Sequence, residues 1–587
     1  MSKKWLSLVL AIILVFSLSA CKKEDAPTSM EVGTTEATSS EVSSTNMSTL
    51  VVDYFANMPE HIYKIDQKEF IEKVKASEDM TVIDIRSAED YAAGHVKGAV
   101  NMPWGTAISE GLSSIPADKP LYVYCYTGQT AGQAVATLNI AGFDARSVNL
   151  GWNLGISKVE GVADVTVTEA STLTAGVTVV DADVQSALEA YYAGLATIAD
   201  AKYKNYKISE DDLKAMVDAK DSSIYILSVR GAKDYNKGHI EGASNIPFAK
   251  GMADQFSTLP KDKTIVVYCY TGQTAGQVTA GLRLMGYDAV SLNGGMGTPA
   301  NAPNGWANKG FPVTSEVIVK VQELYANMPE HIYKIAEKDF VDKVVAGEAM
   351  TVIDIRSAED YAKGHVKGAV NLPWGGTAIA EGLSSIPTDK PVYVYCYTGQ
   401  TAGQAVVTLN LAGISAQSVN LGWNLGISKV EGVAAVTVTD ASAFEGTGTE
   451  ISPAVQEAVT AYYEGLSAIE DARFKNYKVS EDDLKAMVDA KDDSILILSV
   501  RKAEDYAAGH IEGAINIPFG KDMIPAFMAQ LPKDKKIVVY CYTGQTAGQA
   551  TAALRLLGYD AVSLNGGMGT PANAPNGWAN KGFPVVK

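Results

Sequence analysis

The chain has 587 residues, a formal charge of −18 at neutral pH, and 47% hydrophobic against 20% charged residues. That length exceeds what one hydrophobic core supports, and domains of roughly 100 to 200 residues predict three to five of them. The acidic balance argues against nucleic acid or an anionic lipid surface as a partner of the folded part, because both need clustered Lys and Arg.

At the front, Lys3 and Lys4 precede an uncharged apolar run from Trp5 to Leu18, then Ser19, Ala20 and Cys21. The run is too short to span a bilayer and has the order of an export signal. Small residues directly before a cysteine resemble the lipobox of bacterial lipoproteins. That resemblance implies a signal peptide over 1–20, lipidation of Cys21, and a protein exported and held on the extracytoplasmic face of the bacterial cell membrane. An ordinary secretory signal with an incidental cysteine is the alternative. The following stretch is rich in Ser, Thr and Glu and has no aromatic residue, which predicts a disordered tether over 21–50.

The segment CYTGQTAGQ then occurs four times, beginning at Cys125, Cys269, Cys396 and Cys541. The first and third copies share VIDIRSAEDYA and VNLGWNLGISKVEGV, whereas the second and fourth share LSVR and SLNGGMGTPANAPNGWANKGFPV. A pair of units was therefore duplicated, giving the order A-B-A-B over 51–165, 184–315, 316–438 and 452–587. Between the first two units, 165–183 reads as linker or edge structure.

In the first unit, Asp66-Gln67-Lys68-Glu69 forms a capping-box pattern ahead of Phe70, Ile71 and Val74 and predicts a helix start. Short apolar runs at Thr81–Ile85, Ala99–Met102, Leu121–Tyr124 and Arg146–Leu150 predict strands, and Gly132–Ala141 a helix. Alternation of this kind means an α/β fold with a mainly parallel sheet covered on both faces. Cys125 follows a strand and precedes Gly128, Gly132 and a helix, which places it at the carboxyl end of a parallel strand. Backbone amides of such a loop and helix start favour an anion, here the thiolate itself. A free cysteine is only a few per cent ionised at neutral pH, so lowering its pKa by about two units, or roughly 2.7 kcal/mol, makes it mostly thiolate.

Strand, cysteine, tight loop and helix, preceded by Asp84-Ile85-Arg86, Glu89-Asp90-Tyr91 and Gly94-His95-Val96-Lys97-Gly98-Ala99-Val100-Asn101, resemble the rhodanese superfamily in all four units. The resemblance implies four domains, each a five-stranded parallel sheet with helices on both faces. It also implies a sulfurtransferase in which Cys125, Cys269, Cys396 and Cys541 take sulfane sulfur from a thiosulfate, persulfide or mercaptopyruvate donor and pass it to a thiol acceptor. The substrate-binding loops would be Tyr126, Thr127, Gly128, Gln129 and Thr130; Tyr270, Thr271, Gly272, Gln273 and Thr274; Tyr397, Thr398, Gly399, Gln400 and Thr401; and Tyr542, Thr543, Gly544, Gln545 and Thr546. Arg86, Arg230, Arg356 and Arg501 would support them. Relatives specialised for thiosulfate carry basic side chains just after the cysteine, where this loop has Tyr and Thr, and no arginine is assigned to a substrate carboxylate. In the second and fourth units Ser228 and Ser499 replace the aspartate of Asp-x-Arg.

Several plainer readings stand beside this one. Four cysteines in an exported protein allow disulfides, but identical placement in each unit suits a role per domain. The Gly-His residues His95, His239, His365 and His510, with His61 and His331, are too isolated to hold a metal, and no cofactor is expected. The Asp-x-Arg arginines read as a scaffold ion pair or loop brace before they read as substrate ligands. Trp104 and Trp374, matched by Phe248 and Phe519, line a pocket rim or pack. A phosphatase of the same fold would need an arginine at the end of the loop, where Ala131 stands. A non-catalytic lipoprotein that binds sulfur species or a partner is the rival from another class, and retention of all four cysteines counts against it.

Overall fold

The computed structural model describes residues 44–173, 178–198 and 200–587. The expected signal peptide, the Cys21 lipidation site and the tether up to residue 43 lie outside the described residues.

The first unit runs α1 (Ser44–Ala56), β1 (Lys64–Ile65), α2 (Gln67–Lys75), β2 (Thr81–Asp84), α3 (Ala88–Ala93), β3 (His95–Val96), β4 (Ala99–Asn101), α4 (Thr106–Glu110), β5 (Leu121–Tyr124), α5 (Gln129–Ile140), β6 (Ala145–Val148) and β7 (Thr166–Val167). Five strands make a parallel sheet in the order β1-β6-β5-β2-β4. Every residue of β2 and β5 is buried, as strands covered on both faces must be, and this is why they read as runs rather than as alternation. Asp66 caps α2 by accepting from the amides of Lys68 and Glu69.

The second unit repeats the plan with α6 (Ala182–Gly194), β8 (Lys207–Ile208), α7 (Glu210–Asp218), β9 (Ile224–Ser228), α8 (Ala232–Lys237), β10 (Ser244–Asn245), β11 (Thr264–Tyr268), α9 (Gln273–Leu284) and β12 (Ala289–Leu292). Its sheet order, β10-β9-β11-β12-β8, is the same topology. The third and fourth units carry the same two five-stranded sheets.

Two boundaries differ from the sequence reading. The fold already includes α1 from Ser44, so the tether does not extend to residue 50 and the first domain does not begin at 51. Val51, Tyr54, Phe55 and Met58 form a buried stripe at helical spacing. The 165–183 stretch is edge structure at its start, because β7 pairs antiparallel with β3, and the Thr178 amide donates to Ser113 O at 3.0 Å.

The units are built as pairs. One hydrophobic core is shared by units one and two and another by units three and four. Helices α5 and α9 cross so closely that a Cβ on Gly132 would lie 2.2 Å from Gln273 O, and one on Gly276 2.4 Å from Gln129 O. The first helix of each unit covers its neighbour. Phe55 of α1 sets its ring edge against Phe248 and Phe256, and Tyr54 donates to Gln277 Oε1 at 2.8 Å. In return, Tyr191 of α6 donates to Gln133 Oε1 at 2.7 Å, and Tyr192 packs edge-on against Trp104. Trp104 and Phe248 are thus packing residues of the pair, as are Trp374 against Tyr463 and Phe519 against Tyr325. The helices Glu316–Ala326 and Pro453–Ser467 make the same exchange through Tyr325 to Gln549 O and Tyr462 to Gln404 Oε1.

Candidate active site

Strand β5 delivers Cys125 to the sheet's carboxyl edge, and Gly128 turns the chain into α5 with φ of 90°, a left-handed conformation open to glycine. The amides of Gly128 and Ala131 point at Cys125 Sγ, at 3.1 and 3.4 Å. The third unit matches, with Gly399 N at 3.1 Å and Ala402 N at 3.4 Å from Cys396 Sγ. In the second and fourth units Gly272 N and Gly544 N donate at 3.1 Å to Cys269 and Cys541. All four thiols are buried and free of disulfides. A sulfur so placed is held by fixed dipoles that favour negative charge, as a nucleophile and as a persulfide both require.

The end of each unit pins this loop from below. Trp152 N donates to Cys125 O and Asn153 N to Tyr126 O, both at 2.8 Å. A Cβ on Gly151, whose φ is 58°, would come within 2.5 Å of Cys125 O. Met296 N and Gly297 N do the same for Cys269 O and Tyr270 O in the second unit. The different tails of odd and even units therefore serve one purpose.

The expected loop residues divide by what they touch. Tyr126 is partly exposed and braces the loop to α3: its hydroxyl donates to Asp90 and accepts from Ser87 N. Tyr270, Tyr397 and Tyr542 bind Asp234, Asp360 and Asp505 in the same way. Tyr397, with Lys363 and Ser357, pulls the Asp360 carboxyl down to about 2. Thr274, Thr401 and Thr546 are buried, and Thr127, Thr130, Thr271, Thr398 and Thr543 are half-buried. Gln129 is a correction to the sequence reading. Its amide nitrogen reaches into the second unit, donating to Ser291 Oγ at 2.8 Å and Leu292 O at 3.0 Å. Gln273 answers at Ser147 Oγ, 2.7 Å away, and Gln400 and Gln545 bind Ser563 and Ser418 alike. These glutamines join the pair through their amide nitrogens.

Arg86 is a brace. It binds Asp84 through Nε and a terminal nitrogen at 2.6 to 3.1 Å, donates to Gly94 O at 2.8 Å, and lies over the Trp152 ring at 4.3 Å. Arg356 repeats this with Asp354. Arg230 and Arg501 keep the carbonyl contact, to Gly238 and Gly509, but their buried Nε atoms have no hydrogen-bond partner among the described residues. His95 is structural, with Nδ1 at 2.8 Å from Tyr91 O, Nε2 at 3.1 Å from Glu169 O, and its ring stacked on Tyr91. Among the described residues no cluster of three His, Cys, Asp or Glu side chains could hold a metal ion.

The rhodanese-like domain family matches at residues 66–157, 209–298, 337–427 and 480–570. Each match contains one cysteine loop. Among curated relatives, a sulfurtransferase of Allochromatium vinosum is 34% identical over 98 residues, 16% of this chain and 83% of its own length. The thiosulfate sulfurtransferase GlpE of Shewanella oneidensis is 35% identical over 95 residues, 16% of this chain and 88% of its own. The thiosulfate sulfurtransferase PspE of Escherichia coli is 38% identical over 72 residues, 12% of this chain and 68% of its own. The four matched segments make up more than half of the sequence, and the chain belongs to the rhodanese family. Its activity is that of a rhodanese-like sulfurtransferase.

Proposed function

We propose that the protein is a membrane-anchored, extracytoplasmic sulfurtransferase in which each of the four loop cysteines carries one sulfane sulfur. The observation that carries this reading is the set of loop amides aimed at each free, buried Sγ. The thiolate attacks the outer sulfur of the donor. A sulfur–sulfur bond forms to Cys125, the bond between that sulfur and the rest of the donor breaks, and the leaving group departs with the electron pair. An acceptor thiolate then attacks the outer persulfide sulfur and the cysteine leaves as thiolate, so no external oxidant or reductant enters. The donor is of the thiosulfate, persulfide or mercaptopyruvate class and the acceptor a thiol. The uncharged Tyr and Thr after each cysteine favour donors other than thiosulfate. Export and anchoring are supported by the apolar segment before Cys21.

Incubation with thiosulfate, mercaptopyruvate or polysulfide, followed by intact mass, is expected to add up to four sulfur atoms that a thiol removes. Absence of added sulfur with every donor, or its persistence after all four loop cysteines are changed to serine, overturns the reading. For the anchor, Cys21→Ser is expected to release the protein from the membrane fraction.

A further inference from the structure

The neutral loop leaves a question of charge: a thiolate, a persulfide and an anionic donor meet in a pocket whose own loop supplies only amides. The pairing of units answers it. Gln129, four residues after Cys125, grips Ser291 and Leu292 of β12. Gln133, one turn later, donates to Asn205 O at 3.1 Å. Lys207 lies between those anchors, in register with Ser291 on the adjoining strand β8. The reciprocal arrangement holds: Gln273 grips Ser147, Gln277 reaches Ile62 O, and Lys64 on β1 is in register with Ser147. Each helix that begins at a cysteine loop is therefore clamped on both sides of a lysine from the opposite unit.

We propose that each loop thiol is completed across the pair by one lysine, Lys207 for Cys125, Lys64 for Cys269, Lys478 for Cys396 and Lys334 for Cys541, which binds the negative charge of the thiolate, persulfide or incoming donor. Burial pushes all four ammonium groups down, and in each case the thiol of the opposite unit pushes back up. The charged side chains that brace the first loop are committed elsewhere. Arg86 is held by Asp84, and Asp90 by Ser87 and Tyr126. Lys207 makes no ion pair among the described residues. Glu210 adds its field to Lys207, and Glu481 to Lys478, whereas among the described residues no carboxylate acts in this way on Lys64 or Lys334. Glu210 itself accepts from Gly305 N at 2.7 Å and Asn293 Nδ2 at 3.2 Å, and unit one has Gln67 at that position. The even thiols thus face a lysine that is not shared.

The proposal rests on the sulfur-transfer reading for its purpose but is tested without a sulfur donor, so the two fail separately. In full-length chains that keep one loop cysteine each, iodoacetamide alkylation of that cysteine is followed across pH by peptide mass. Lys64→Met is expected to slow alkylation of Cys269 at neutral pH roughly tenfold, because the negative charge on the reacting sulfur loses its cationic partner. Cys125, in the same unit as Lys64, is expected to stay within about twofold, since its own lysine is intact. Lys207→Met is expected to give the reverse pattern with a smaller slowing at Cys125, and Lys64→Arg to restore Cys269. Slowing of both thiols alike, slowing of the thiol in the lysine's own unit, an unchanged rate, or a loss that Lys64→Arg does not relieve overturns it.

Discussion

The odd and even units share one topology and one cysteine loop, yet they support that loop differently. In odd units the arginine of Asp-x-Arg is locked to a buried carboxylate and lies under a tryptophan. In even units the carboxylate is a serine and the arginine Nε is buried with no hydrogen-bond partner among the described residues. Odd thiols receive two amides and face a lysine that feels a glutamate. Among the described residues, even thiols receive one amide and face a lysine that does not. The comparison teaches that the arginine's lasting duty is toward the Gly-His turn, whose carbonyl it holds in every unit, and that charge at the sulfur is supplied by other groups.

The largest way to break this comparison is Asp84→Ala, which strands Arg86 in a buried site and is expected to cost about 3 to 5 kcal/mol. Ser228→Ala at the matching even position is expected to cost under about 1 kcal/mol, because Ser228 is uncharged and the bond it accepts from Arg230 N is long, at 3.4 Å. Denaturant melts of the two variants, with equal losses, would remove the distinction. Gly132→Ala and Gly276→Ala probe the one place where odd and even must agree, the α5–α9 crossing. Each places a methyl against a backbone carbonyl and is expected to cost about 1 to 3 kcal/mol, and a thermal shift for only one of them would contradict the shared crossing. A smaller change sharpens the contrast: Ser228→Asp offers Arg230 the missing carboxylate and is expected to raise stability by about 1 kcal/mol.

The smallest expected effect is one of pH. Asp360 is held near 2 by Tyr397, Lys363 and Ser357, below the ordinary value of about 3.9. A carboxyl depressed in the folded state stabilises it fully above that ordinary value, and the contribution is lost as pH falls toward 2. Tyr397→Phe is expected to move the Asp360 midpoint upward in an NMR titration, so that the loss sets in at higher pH. No movement would mean that Tyr397 does not hold the aspartate.

Much of each sheet was legible in the chain. The runs at Thr81–Ile85 and Leu121–Tyr124 became β2 and β5, because a strand buried on both faces writes itself as continuous apolar residues. The cysteine, its glycine turn and the amide geometry were legible too, since a strand ending in Cys-x-x-Gly before a helix permits few conformations. Strand β1 was missed because two residues carry no periodicity. Helix α1 was missed because its stripe, Val51, Tyr54, Phe55 and Met58, lies at the edge of a polar tract and packs on a unit two hundred residues later. The reach of Gln129 and the position of Lys207 were hidden for the same reason: both depend on which unit lies opposite. Their signal was the small residue Gly132, which the sequence pattern places at the start of a helix and which the structure places at the helix crossing.

The exchange of first helices has a bearing on how such a chain can grow or shrink. A gene that lost one unit would leave a helix with no sheet to rest on and a sheet with its face bare, and a protein shortened in that way would carry an adhesive surface. Losing or gaining two units keeps every exchange of first helices intact, because each pair supplies both partners. The repeat A-B-A-B is then the order that inheritance permits, with lengths counted in twos.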